Sequence, residues 1–178
     1  MWVFDATPLI YLAKVDHLQL VSHLEGQCYL PQQIHSEVVT VGLEEGYTDA
    51  RRVEQCIDTG LFEVISVDDS QLVARLQRNP NLSDADVAVL GCAASRDAIA
   101  VMDEAYGRTT AEVEGIETRG TAYIVLLCAK HGHITVSEAR ETIDALIAEG
   151  WYCAPDLYTQ LVRKLESFEH RSCGGDWR

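Results

Sequence analysis

Residues 82–104 restrict the fold more than any other stretch of this chain. Leu82-Ser83-Asp84-Ala85-Asp86-Val87-Ala88-Val89-Leu90-Gly91-Cys92-Ala93-Ala94-Ser95 has the spacing of a helix with a buried apolar stripe. Ala98-Ile99-Ala100-Val101-Met102-Asp103-Glu104 follows at once, a short continuous apolar run of the kind that forms a central parallel strand. Acids stand at both ends. Asp84 and Asp86 fall in the first turn of the helix, and Asp103 is the first polar residue after the strand, where open α/β sheets place their ligands. Three carboxylates brought to one edge of a sheet repel each other unless something positive lies between them, so the pattern suggests a divalent metal site.

The rest of the chain repeats the alternation. Residues 1–5 read as a strand ending on Asp5, and Thr7-Pro8 as an N-cap with proline at the first helical position. A short helix at 17–24 leads to a strand at 27–30, and Pro31 opens a helix that carries Glu37 on its second turn. A polar amphipathic helix spans 47–58, a strand 61–67, and a helix 70–78 that Asn79-Pro80-Asn81 breaks, leaving Ser83 to cap the central helix. Beyond Asp103 the spacing predicts a helix to about 114, an extended segment at 116–118, and helices at 121–130, 135–149 and from Pro155. Strands alternating with helices predict a three-layer α/β/α fold around a central parallel sheet, with extra C-terminal helices. A single domain over 1–168 and a disordered tail at 169–178 are expected.

Composition narrows the class. A chain of 178 residues that is 47% hydrophobic has enough apolar side chains for a core, and no run approaches the roughly 18 apolar residues that span a bilayer. The start has no basic segment of a signal peptide, so the expected location is cytoplasmic. Six cysteines stand singly, without CxxC and without histidines at zinc-finger spacing, and most occur among apolar neighbours, as small core residues would. The net charge of −14 argues against a broad nucleic-acid-binding face. Yet 3 lysines beside 11 arginines and 28 acids resemble the balance of proteins from salt-loving archaea, where phosphate electrostatics are screened anyway. A local arginine patch still suits an RNA substrate.

Each acid has a plain reading beside the functional one. Asp5 and Asp103 each either cap the helix that follows or converge on one crevice, and for Asp5 the capping reading is weakened because Thr7 fills that role. Ser83-Asp84-Ala85-Asp86 resembles a capping box; residues two apart do not share a helix face, so Asp86 rather than Asp84 is the better close ligand. Glu37 stands beside the apolar stripe of Ile34, Val38 and Val41, at the edge of the buried side. Arg108 is the nearest cation for a phosphate, or else a surface ion-pair partner of Glu104 or Glu112.

Taken in order, Asp5 in FDATPLIYLAK, Glu37 in LPQQIHSEVV, the acids of LSDADVAVLGCA and Asp103 in AIAVMDE resemble the PIN-domain nucleases from residue 2 to about 165. The likeness extends to a prokaryotic subgroup in which a Gly-Thr pair precedes an apolar helix and an Ala-Lys-x-Gly turn, here 120–132. The resemblance implies a metal-dependent RNase fold related to the toxins of VapC-type toxin–antitoxin pairs. It makes Asp5, Glu37, Asp86 and Asp103 the acidic quartet, with Asp84 as a further metal ligand and Mg²⁺ or Mn²⁺ as the ion. Thr7 matches a position that orients the first carboxylate, and Glu104 stands where the subgroup often has a second Asp. One departure is clear: Ser83-Asp84-Ala85-Asp86 replaces a Gly-Glu-Ala-Glu pattern, shortening both acids. RNA is the implied substrate, with a homodimer and a small antitoxin protein as implied partners. The competing expectation is a PIN scaffold with weak or no catalysis that acts as a binding or regulatory module. A phosphoacceptor receiver domain is excluded, because no acidic pair follows the first strand and no lysine the last.

Overall fold

A computed structural model describes the backbone of residues 1–172 and the side chains of residues 1–169. The chain divides into a compact unit over Met1–Thr121 and a second that begins at Ala122.

The first unit is built on five strands: β1 (Trp2–Phe4), β2 (Cys28–Pro31), β3 (Phe62–Ile65), β4 (Ile99–Val101) and β5 (Thr118–Arg119). All neighbours pair in parallel, in the order β3-β2-β1-β4-β5. Trp2, Val3 and Phe4 are all buried, as a strand covered on both faces must be, which is why β1 reads as an unbroken apolar run. Parallel pairing requires crossovers, and helices supply them. They are α1 (Ala6–Lys14), α2 (Gln32–His35), α3 (Gly42–Glu44), α4 (Thr48–Asp58), α5 (Gln71–Leu76), α6 (Asp84–Arg96) and α7 (Ala105–Val113). α6 packs on β1, β2 and β4, and α4 packs on α1 and β3. The result is the expected α/β/α architecture around a parallel sheet.

Strand order fixes where a ligand belongs. From β1 the chain adds β2 and β3 on one side, then crosses to add β4 and β5 on the other, so the order reverses between β1 and β4. Ligands of open parallel sheets bind outside the carboxyl ends of the strands at such a switch point. Phe4 is in register with Val101, which sets Asp5 opposite Met102 and Asp103 one step beyond. A helix that feeds a parallel strand starts over that same carboxyl edge, so the N-terminus of α6 lies there too.

Three local expectations change. The segment near 17–24 is a 3₁₀ helix at Leu18–His23. The helix after Pro31 opens into a π-helix at Ser36–Val41, which carries Glu37; such wider turns occur frequently at functional sites. Thr7 is not the cap of α1: Asp5 holds the N-cap position and Pro8 falls third in the helix. The first turn has no intrahelical use for its N–H groups, so proline fits at any of its positions.

α8 (Thr121–Lys130) starts on the last residue of the first unit, and α9 (Val136–Ala148) and α10 (Pro155–Ser172) complete the second. α9 and α10 pack together, with Ile143, Leu146, Trp151, Leu161 and Leu165 buried and the Tyr158 hydroxyl donating to Asp144 at 2.7 Å. α10 runs through Ser172, and the rest of the expected tail, 173–178, lies outside the described residues. No helix among the described residues is long and apolar enough to cross a membrane.

Candidate functional site

Asp5 is the only buried acid among the described residues, 7% exposed at the end of β1. Its side chain makes no capping bond into α1 although it stands at the N-cap, so the capping reading fails there. Burial pushes its carboxyl up to about 6; the Ala6 amide lowers it, while the charges of Asp86, Glu37 and Asp103 raise it further. Three acids from three other segments therefore lie within electrostatic reach of Asp5. Asp84, exposed on the next residue but one, is not among the charges acting on Asp5.

Each of the other three is held differently. Asp86 does form the capping box: its Oδ2 accepts from the Ser83 amide at 2.8 Å and lies 2.7 Å from the Ser83 hydroxyl, which in turn accepts from the Asp86 amide at 3.1 Å. Its Oδ1 points elsewhere. Gly107, in the first turn of α7, is its neighbour: a Cβ there would meet Asp86 Oδ1 at 3.6 Å, an ordinary contact, while the tight approach, at 2.4 Å, is to the Met102 methyl. Thus one oxygen of Asp86 caps α6 while the other faces the start of α7. The two readings of Asp86 are compatible.

Asp103 does not cap α7, because Glu104 does, accepting from the Gly107 amide at 2.6 Å. Asp103 instead reaches across 18 residues to Thr121: Oδ1 accepts from its amide at 2.8 Å and Oδ2 from its hydroxyl at 2.6 Å. Gly120 makes room, since a Cβ there would sit 2.8 Å from Asp103 Oδ1 and 3.3 Å from Arg108 Nη1. Arg108 thus stands beside Asp103; the ion pairs of the described residues do not include one to Glu104 or Glu112. Glu37 is exposed on the π-helix. Thr7, half-buried in the first turn of α1, makes no hydrogen bond to Asp5.

Two participants escaped the sequence reading. Thr121 is fully buried and clamps Asp103, and its only signal was the Gly-Thr pair ahead of an apolar helix. Gln33 Oε1 is buried without a hydrogen-bond partner, one turn ahead of Glu37, and residues four apart share a helix face. An orphan carbonyl of this kind costs on the order of 1–3 kcal/mol unless something meets it.

The donor set fits a hard divalent ion. Carboxylates are the oxygen ligands such ions take, and the repulsion around Asp5 is what a cation relieves. Among the described residues no three acidic, imidazole or thiol groups are close enough to grip an ion as they stand. Magnesium ordinarily keeps several waters and takes one or two carboxylates directly, which matches acids at this looser spacing. Three of the cysteines are core residues: burial pushes the Cys28, Cys92 and Cys128 thiols up to about 11.

These features define an α/β/α domain with an acidic crevice at the switch point of a parallel sheet. The DUF3368 family, a PIN domain, matches residues 1–167, and the chain belongs to the PIN-domain family. Members of that family are generally nucleases that use divalent metals. No curated protein matches the chain.

Proposed function

We propose that this protein is a Mg²⁺- or Mn²⁺-dependent endoribonuclease that hydrolyses RNA phosphodiester bonds, with Asp5, Glu37, Asp86 and Asp103 as the site. The observation that carries this reading is the buried Asp5 carboxyl, held near 6 by burial and by three carboxylates from other segments. A bound divalent ion supplies a water of lowered pKa and counter-charge for the phosphate oxygens. Asp5 anchors from below, fixed by β1 and too buried to turn away. Asp103, gripped through both oxygens by Thr121, and Asp86, gripped through Oδ2 by Ser83, keep their remaining lone pairs on fixed lines. Glu37 is the exposed member, so its carboxylate is the one in contact with solvent and the one placed to take the proton of the attacking water. Arg108 beside Asp103 meets the phosphate. Asp84 and Glu104 are outer members: the first is exposed away from Asp5 and the second already caps α7.

The finer reading is a toxin of a toxin–antitoxin pair, acting in the cytoplasm of a salt-loving archaeon, homodimeric and silenced by a small antitoxin protein. Its support is the resemblance, the acid-rich composition, and the exposed Ile147 and Leu157 on the C-terminal helices. Light scattering across salt and protein concentration tests the dimer; a monomeric mass throughout removes it.

One observation favours the second reading, a PIN scaffold without catalysis: Asp86 commits one oxygen to its own capping box. The deciding experiment measures melting temperature and cleavage of a single-stranded oligoribonucleotide with Mn²⁺ and with chelator. Wild type is expected to melt higher with the ion, by an amount equivalent to about 2.7 kcal/mol at 100 times the dissociation constant, and to cleave only when it is present. Asp5→Asn and Asp103→Asn should lose both responses. Stabilisation without cleavage would establish the binding module instead.

A further inference from the structure

Between the end of α5 and α7 the first unit has a cavity of about 410 Å³ lined in part by Arg75, Arg78, Asn79, Tyr106 and Glu114. We infer that this groove is a binding site for single-stranded RNA, with Tyr106 as the platform on which a base next to the scissile phosphate stacks and Arg78 as the contact to a neighbouring phosphate. The identity of the occupant rests on the nuclease reading above.

Tyr106 is 40% exposed, yet it is pinned at its far end. The side-chain amides of Asn79 and Asn81 both donate to its hydroxyl, at 3.1 and 3.3 Å, and the Asn81 amide N–H donates to Asn79 Oδ1 at 3.1 Å. An exposed aromatic held by hydrogen bonds from an adjacent loop has lost its rotamer freedom before any ligand arrives, which lowers the cost of binding. Its location is equally specific. Tyr106 immediately precedes Gly107, the residue that Asp86 Oδ1 faces, and Asn81 lies two residues before the capping Ser83. The platform thus rises from the two loop-to-helix junctions that carry Asp86 and Asp103.

The charges separate the two arginines. Arg75 is paired with Glu114, Nε to Oε1 at 3.1 Å with a second, shorter contact from Nη2 to Oε2, so it forms a neutral wall. Arg78 is exposed and makes no ion pair among the described residues. An exposed guanidinium lining the same groove as a presented ring supplies a free cation beside it, and aromatic platforms with adjacent cations are how proteins hold single strands. A duplex hides its base faces in the stack, which leaves Tyr106 nothing to stack on.

The test uses the full chain carrying Asp5→Asn to prevent cleavage, and a fluorescent single-stranded oligoribonucleotide read by anisotropy with Mn²⁺ present. Tyr106→Ala should weaken binding about tenfold, within the range measured for loss of one stacked base. Tyr106→Phe, which keeps the ring but loses the bonds that hold it, should weaken binding by about threefold, less than Tyr106→Ala. Arg78→Gln should reduce the slope of log K against log salt by about 0.7, the value for one phosphate contact on a single strand. Melting curves confirm that each variant is folded. Unchanged affinity in folded Tyr106→Ala, no binding by the parent, or a duplex of the same sequence binding as tightly as the single strand overturns the inference. Wild type that cleaves with Mn²⁺ while Tyr106→Ala binds normally sinks the groove alone; Tyr106-dependent binding without wild-type cleavage sinks the nuclease reading alone.

Discussion

At Asp5 the protein keeps a carboxyl group that its own surroundings oppose. Because the carboxyl is pushed up to about 6, the folded state binds a proton more tightly than the unfolded chain, and stability falls as pH rises from the ordinary aspartate range through 6. The cost is complete above that value and absent at low pH. Asp5→Asn removes the charge, so the metal-free variant should be more stable than wild type at pH 7 to 8, by up to about 3 kcal/mol. The gain should vanish near pH 4, where both proteins are neutral at this position. Urea denaturation across pH reads this directly, and a variant less stable than wild type at pH 8 would mean that the carboxylate has a partner it needs. The same proton competes with any ion: Mn²⁺ affinity measured by calorimetry should fall about tenfold for each pH unit below 6.

Among the elements, the loops that start α6, α7 and α8 do the positioning, and their residues make sharp predictions. Thr121→Val keeps the shape but removes the hydroxyl that donates to Asp103, a hydrogen bond to a charged group. Denaturation of the metal-free protein should show a loss of about 1.5–3 kcal/mol, and an unchanged midpoint would mean that the clamp is idle. Ser83→Ala removes the cap of α6 and should cost about 1 kcal/mol. These loops also show how far the sequence could be read. The strand-ending acids and the capping box were legible, because the periods of strand and helix and the Ser-x-x-Asp spacing are local signals. The clamp on Asp103 was not, since it joins residues 18 apart through a register that only the folded sheet sets. The π-helix under Glu37, the orphan carbonyl of Gln33 and the pinned Tyr106 escaped for the same reason: each depends on what another segment brings near. Thr7 misled, because its spacing before Pro8 matched the commonest helix start while the helix begins one residue after Asp5.

For the whole molecule the dominant fact is the charge of −14, which works against compactness through self-repulsion. Raising NaCl from about 0.1 to 1 M shortens the screening length from about 10 to about 3 Å, so the melting temperature should rise. Each kcal/mol regained corresponds to about 2–4 °C for a chain of this size. A flat or falling melting temperature would show that repulsion is not what limits stability. One further consequence follows from the clamp of Thr121 on Asp103. During translation Asp103 leaves the ribosome well before Thr121 and before β5, the strand that completes the sheet beside it. The nascent chain therefore carries its acids for a time without the geometry that fixes them. On the ribonuclease reading proposed above, a chain emerging next to the RNA of the machine that makes it is, by this order of residues, armed only late in its own synthesis.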